Sequence, residues 1–207
     1  MRNLYLKYSV SIVLIVSSCG IGIEEKFENS NEILITLYDT LALPTLQDFP
    51  PLLEGYISED SLQTVRTFTK LREEQSREIK TVAIPGYLIS GKNLEIENLK
   101  LDEEFKTLVL QLKSLDAQPL DLSLIKTKRK DSIIEYKEQL LDPQVSDYLK
   151  FDLLISFSRI AFNANSDKAV IIGTRSTSGL AGNSALYFFE RKNGKWIIVK
   201  SIGIWIS

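Results

Sequence analysis

The sequence predicts an α+β fold: N-terminal helices packed on a C-terminal four-stranded antiparallel meander. Three observations carry that expectation. Phe105, Leu108, Val109, Leu112 and Leu115 fall on one stripe at helical spacing. From residue 152 onward apolar positions alternate with polar ones, Leu153, Ile155 and Phe157 against Asp152, Ser156 and Ser158. Lys192-Asn193-Gly194-Lys195 carries the Asn-Gly pair that a tight hairpin turn needs.

The chain starts with a different pattern. Arg2 and Lys7 are followed by the apolar run Val10–Val16 and by Ser17-Ser18-Cys19-Gly20. Positive charge, a short apolar stretch and small residues before a cut site form an export signal. The stretch is too short for a membrane-spanning helix, which takes about 20 apolar residues. Val16-Ser17-Ser18-Cys19 also resembles the lipobox of bacterial lipoproteins, whose Cys sulfur receives a diacylglycerol before cleavage. The organisation expected is a signal over residues 1–18, lipidation at Cys19, a tether over 19–30 and a single α+β domain over 31–207.

Composition narrows the partners. Loss of Arg2 and Lys7 with the signal lowers 25 basic residues to 23 against 27 acidic, a net charge of −4. A duplex binder normally shows a strong basic excess, so no nucleic acid is expected. Cys19 is the one cysteine, so no disulfide within the chain is expected and the core alone must hold the fold. The membrane, reached through the N-terminal lipid, is the partner expected first; a protein or glycan partner is unspecified.

Along the chain, Leu34, Leu37, Tyr38 and Leu41 recur at helical spacing, and Asn29 with Glu32 fits a capping box at that helix start. Pro44, Pro50 and Pro51 then predict a loop. Residues 59–74 predict a helix, against the strand preference of Thr64, Thr67 and Thr69. Thr81–Ile84 and Tyr87–Ile89 read as extended pieces around Pro85-Gly86. Asp102 is placed to cap the helix ending near Leu115. A strand is expected at Ser132–Tyr136, after the basic cluster Lys126, Lys128, Arg129 and Lys130. Asp142-Pro143 opens a short helix toward Lys150.

The last third is strand. Its apolar phase switches from Leu153, Ile155 and Phe157 to Ile160 and Phe162, which predicts a β-bulge at Ser158-Arg159. Asn163–Asp167 predicts a turn and Ala169–Ile172 a strand. Gly173–Gly182, rich in Gly, Ser and Thr, predicts a surface loop that carries Arg175 and leads into Leu186–Phe189. Trp196–Ile206 closes the chain.

Ser158-Arg159-Ile160-Ala161-Phe162-Asn163, Gly179-Leu180-Ala181-Gly182, Asn193-Gly194-Lys195-Trp196 and Trp205-Ile206-Ser207 together resemble an uncharacterised lipoprotein family of Bacteroidetes-type bacteria. The likeness covers residues 150–207. It implies a lipid-anchored protein of the cell envelope and implies no enzymatic activity. Gly20 lacks the Asp that retains some lipoproteins at the inner membrane, which by resemblance to lipoprotein sorting signals implies the outer membrane. A Gly-Lys-Trp hairpin also resembles the closing hairpin of cystatin-like and NTF2-like cone folds.

The residue inventory removes much chemistry. With no His, the usual Ser-His-Asp hydrolase and most zinc sites are not expected. The acids form no Asp-x-Asp-x-Asp calcium loop. Around Gly182 a phosphate loop would need glycine at Thr177 and lysine at Asn183, so no nucleotide is expected. No catalytic residue, metal or cofactor is assigned. The candidate ligand-binding residues are Arg159, whose fork suits a carboxylate in a concave sheet, and Arg175. Trp196 and Trp205 fit either a core or a stacking surface. The function expected is a membrane-anchored interaction or ligand-binding module. The alternative is a cone-fold hydrolase or lyase using Asp, Glu or Tyr.

Overall fold

The fold is given by a computed structural model that describes residues 27–43, 70, 73–74, 78–95, 101–138, 150–178 and 181–206, with Ser178, Ala181, Trp205 and Ile206 described by backbone alone. Cys19, the proline loop, nearly all of the helix over 59–74 and the helix expected after Asp142 lie outside these residues, as does the Trp205 side chain.

Helix α1 spans residues 27–41 and α2 spans Glu103–Ser114. The strands are β1 (Thr81–Pro85), β2 (Tyr87–Leu88), β3 (Gln118–Pro119), β4 (Ser132–Tyr136), β5 (Leu153–Phe157), β6 (Ala161–Phe162), β7 (Lys168–Ser178), β8 (Ala181–Lys192) and β9 (Lys195–Ile206). A 3₁₀ turn, Leu122–Leu124, follows β3.

The fold is α+β, and its sheet is larger than the expected meander. Seven strands run in the order β4-β1-β5-β7-β8-β9, with β6 beside β7. β5, β7, β8 and β9 pair antiparallel in succession, but β1 lies parallel to both β4 and β5. Parallel neighbours need long crossovers, and no local signal says where such a strand will dock. β2 and β3 form a separate two-stranded sheet.

One helix covers each face. Leu34, Leu37 and Leu41 of α1 pack with Ile155, Ala169, Ile171 and Phe189, whereas Phe105, Leu108 and Leu112 of α2 pack with Val170, Ile172 and Phe188. Ala169–Ile172 is apolar throughout because neighbouring residues alternate between two covered faces.

The predicted bulge is present. Phe157 pairs with Gly173 but Ala161 pairs with Val170, so one strand gains a residue between them. The Ser158 hydroxyl fills the gap, accepting the Ile172 N–H at 2.8 Å and donating to the Arg159 carbonyl at 2.7 Å. Asn193 and Gly194 have φ of 52° and 76°, the left-handed values that an Asn-Gly turn requires.

Four local expectations are corrected. The chain is already helical at residue 27, so Phe27–Ser30 of the expected tether belong to α1. Asn29 and Glu32 therefore form no capping box; both reach across to Trp196. Asp102 holds the N-cap position of α2, yet its side chain makes no capping bond. The expected loop from Gly173 is strand: β7 runs to Ser178 and β8 resumes at Ala181, with Gly182 paired to Ser176. β-branched Thr174 and Thr177 fit a pleated surface, and that preference outweighs the turn character of Gly and Ser.

Asp131 ties three elements together. Its carboxylate accepts from the Tyr38 hydroxyl at 3.0 Å, the Lys80 N–H at 3.0 Å and the Arg129 Nε at 2.6 Å. Arg129, one of the four residues of the basic cluster, is thus a structural partner. Burial alone would raise the Asp131 pKa, but these donors and the Arg129 charge hold it below the usual carboxylate range. Burial, followed by the Asp131 charge, raises the Tyr38 phenol.

Candidate ligand cleft

A cleft of about 580 Å³ opens where the N-terminal end of α1, the C-terminal end of α2, β3 and the β5–β6 break converge. Each wall has a local cause. The bulge releases Arg159 and Ile160 from the ladder; the Arg159 N–H bonds the Ile89 carbonyl at 2.9 Å instead. Ile89 in turn donates to Phe157 at 2.8 Å, which holds the end of β2 against β5. The Ser90 hydroxyl donates to the Leu115 carbonyl at 2.8 Å and fixes the end of α2 beside the same segment. Asp121 opens the 3₁₀ turn by accepting the Ser123 N–H at 2.9 Å, and the Ser123 side chain, followed by that N–H, holds its carboxyl below the ordinary range.

The apolar lining includes Leu34, Leu88, Ile160 and Phe162, with Phe27, 52% exposed, at the rim. The polar lining includes Asn31, Gln111, Gln118, Asp121, Arg159 and Asn163. Asn163 is spent on its turn: its oxygen accepts the N–H groups of Asp167 and Lys168 at 3.1 and 3.0 Å. The side chains of Asn31, Gln111 and Gln118 make no hydrogen bond among the described residues.

Arg159 is half-buried in this lining. Its Nη1 donates to the main-chain oxygen of Asp116 at 2.9 Å. The Asp116 carboxylate is engaged elsewhere, by Lys92, whose hydrogen bond lowers its pKa. No carboxylate among the described residues forms an ion pair with Arg159. Arg159 is therefore both the brace of a loop carbonyl and the one cation of the lining.

Arg175 is elsewhere. It lies within β7, 5% exposed, opposite Ile155 and Asn183 in register, and does not line the cleft. Alternation puts it on the face of Ile171 and Gly173, under α1. The expectation of a surface loop cation is overturned, and the two arginines do not meet. Trp196 is core, 2% exposed.

Asn31, Gln111 and Gln118 were not legible as site residues. Amides on a helix or short strand have no spacing signature, and Asn31 lies 80 residues before Gln111. Among the described residues no group of three or more possible metal ligands occurs. Compared with known proteins, the chain matches no family model, no curated protein and no solved structure.

Proposed function

We propose that the chain is an envelope lipoprotein of the uncharacterised Bacteroidetes-type family it resembles, anchored at Cys19 in the outer membrane, and that its folded part binds a small ligand in the Arg159 cleft. The observation that carries the binding reading is a concave, mixed-polarity cleft in which a guanidinium forms no ion pair with a carboxylate among the described residues. Ligand sites combine such apolar lining with a few convergent polar groups. The anchor reading is supported by the charged, apolar and small-residue order that ends on Cys19. Binding is favoured over the hydrolase or lyase alternative by the character of the cleft. Its described lining has no tyrosine, and its one carboxylate, Asp121, is held low rather than raised toward the working range of a general acid. The hydrogen-bonded Tyr38–Asp131 pair lies in the interior, outside the lining.

Two experiments test this reading. A palmitate analogue fed to cells should label the protein, and Cys19→Ala should abolish the label; label that persists overturns the anchor. For the cleft, amide shifts of the ¹⁵N-labelled full chain in detergent are followed as a small-molecule extract of the cell envelope is added. Changes should concentrate around Asn31, Gln118 and Arg159. A cleft that gives no response overturns the binding reading.

A further inference from the structure

Taking the cleft as a binding site, we propose that its ligand is a small organic acid with a single carboxylate seated on the Nε–Nη2 edge of Arg159. A guanidinium offers two forks, one through both Nη atoms and one through Nε and Nη2. Nη1 gives one of its two N–H groups to the Asp116 carbonyl, which holds the group in place and leaves Nε–Nη2 as the fork with both nitrogens unengaged. The second fork has no partner among the described residues. Its two parallel donors match the two oxygens of a carboxylate.

Charge decides between a carboxylate and a phosphate dianion. Arg159 is the one cation in the described lining, and Asp121, whose carboxylate accepts the Ser123 N–H, is the one anion. A monoanion is balanced by Arg159, whereas a dianion leaves one charge uncompensated beside Asp121. The rest of the ligand is set by the walls. Asn31, Gln111 and Gln118 offer amide donors and acceptors that the described residues do not use, while Leu88 and Ile160 offer an apolar side. The ligand body is therefore uncharged, rich in amide or hydroxyl groups and apolar along one edge. An acylated amino acid or peptide C-terminus and a sugar acid share that chemistry.

The test titrates the full chain in detergent with five probes by calorimetry and amide shifts: N-acetyl-leucine, N-acetyl-leucine amide, galacturonate, galactose and inorganic phosphate. At least one acid should bind at the cleft about 10-fold or more tightly than its neutral counterpart, and which pair does so separates the two sources. Arg159→Gln should lose about 10- to 100-fold in affinity, the usual weight of charged hydrogen bonds. Arg159→Lys should recover only part, because an ammonium lacks the fork. The acid-versus-neutral comparison uses the unaltered chain, so it stands even where Arg159→Gln fails to fold. Equal binding of a neutral probe, tighter binding of inorganic phosphate, or silence of both acids in a cleft that answers the envelope extract overturns the carboxylate assignment alone. A cleft that answers neither probes nor extract overturns this assignment and the binding reading together.

Discussion

The indole N–H of Trp196 donates to the side-chain oxygen of Asn29 at 3.1 Å, a bond that joins residues 167 positions apart. The Trp196 backbone N–H donates to Glu32 at 3.0 Å, so one residue at the start of β9 grips successive turns of α1. The same end of α1 supplies Phe27 and Asn31 to the cleft, which makes this clasp a determinant of cleft shape.

Trp196→Ala should therefore destabilise the protein by about 3–5 kcal/mol, the scale for removing a buried Trp or Phe. Trp196→Phe keeps most of the ring burial but orphans the Asn29 oxygen, and should cost about 1–3 kcal/mol. Urea melts of the full chain distinguish these two levels.

Ser158→Ala should cost about 1–3 kcal/mol, because Ser158 is buried and its removal leaves the Ile172 N–H without an acceptor. The same change frees the Arg159 backbone at the bulge, so affinity at the cleft should fall as well. Melts and probe titration on one variant check both effects.

Stability should fall on acidification in part through Asp131. Its folded pKa lies below the usual value, so the folded state binds its proton less readily than the unfolded chain. The contribution is therefore fully present above the unfolded value of about 3.9 and disappears as pH drops through the lowered folded value. Thermal melts from pH 7 downward should show a shallower acid limb in Asp131→Asn, on top of a loss at neutral pH. Tyr38→Phe should show a smaller neutral loss of about 1 kcal/mol from the missing hydrogen bond.

Gly173 and Gly203 should respond oppositely to alanine. A Cβ at Gly173 would meet Leu41 Cδ1, Leu37 Cδ2 and Tyr187 Cε2 at 3.0–3.1 Å, so Gly173→Ala should cost about 1–3 kcal/mol. A Cβ at Gly203 meets nothing within 4 Å, and Gly203→Ala should be neutral or stabilise by up to about 1 kcal/mol. The contrast in urea midpoints would show that Gly173 is a packing residue beneath α1, not a flexible hinge.

Periodic signals were read correctly from sequence because the cause is local. The stripe from Phe105 to Leu112 marks α2, the phase switch at Ser158 marks the bulge, and Asn193-Gly194 marks the turn, each within a few bonded neighbours. What only the tertiary structure decided has its cause elsewhere in the chain. β1 and β4 were legible as extended pieces, but their parallel union with β5 depends on crossovers. Arg175 looked like a loop cation because glycine, serine and threonine surround it, and pairing with β5 and β8 buried it in a strand. Arg159 could be singled out as an anion anchor. Its pinning by the Asp116 carbonyl and its company of Asn31, Gln111 and Gln118 arise only when α1, the stretch from α2 to β3 and the bulge meet. Local sequence sets the period and direction of side chains; the burial of two faces of one sheet sets which of them become neighbours.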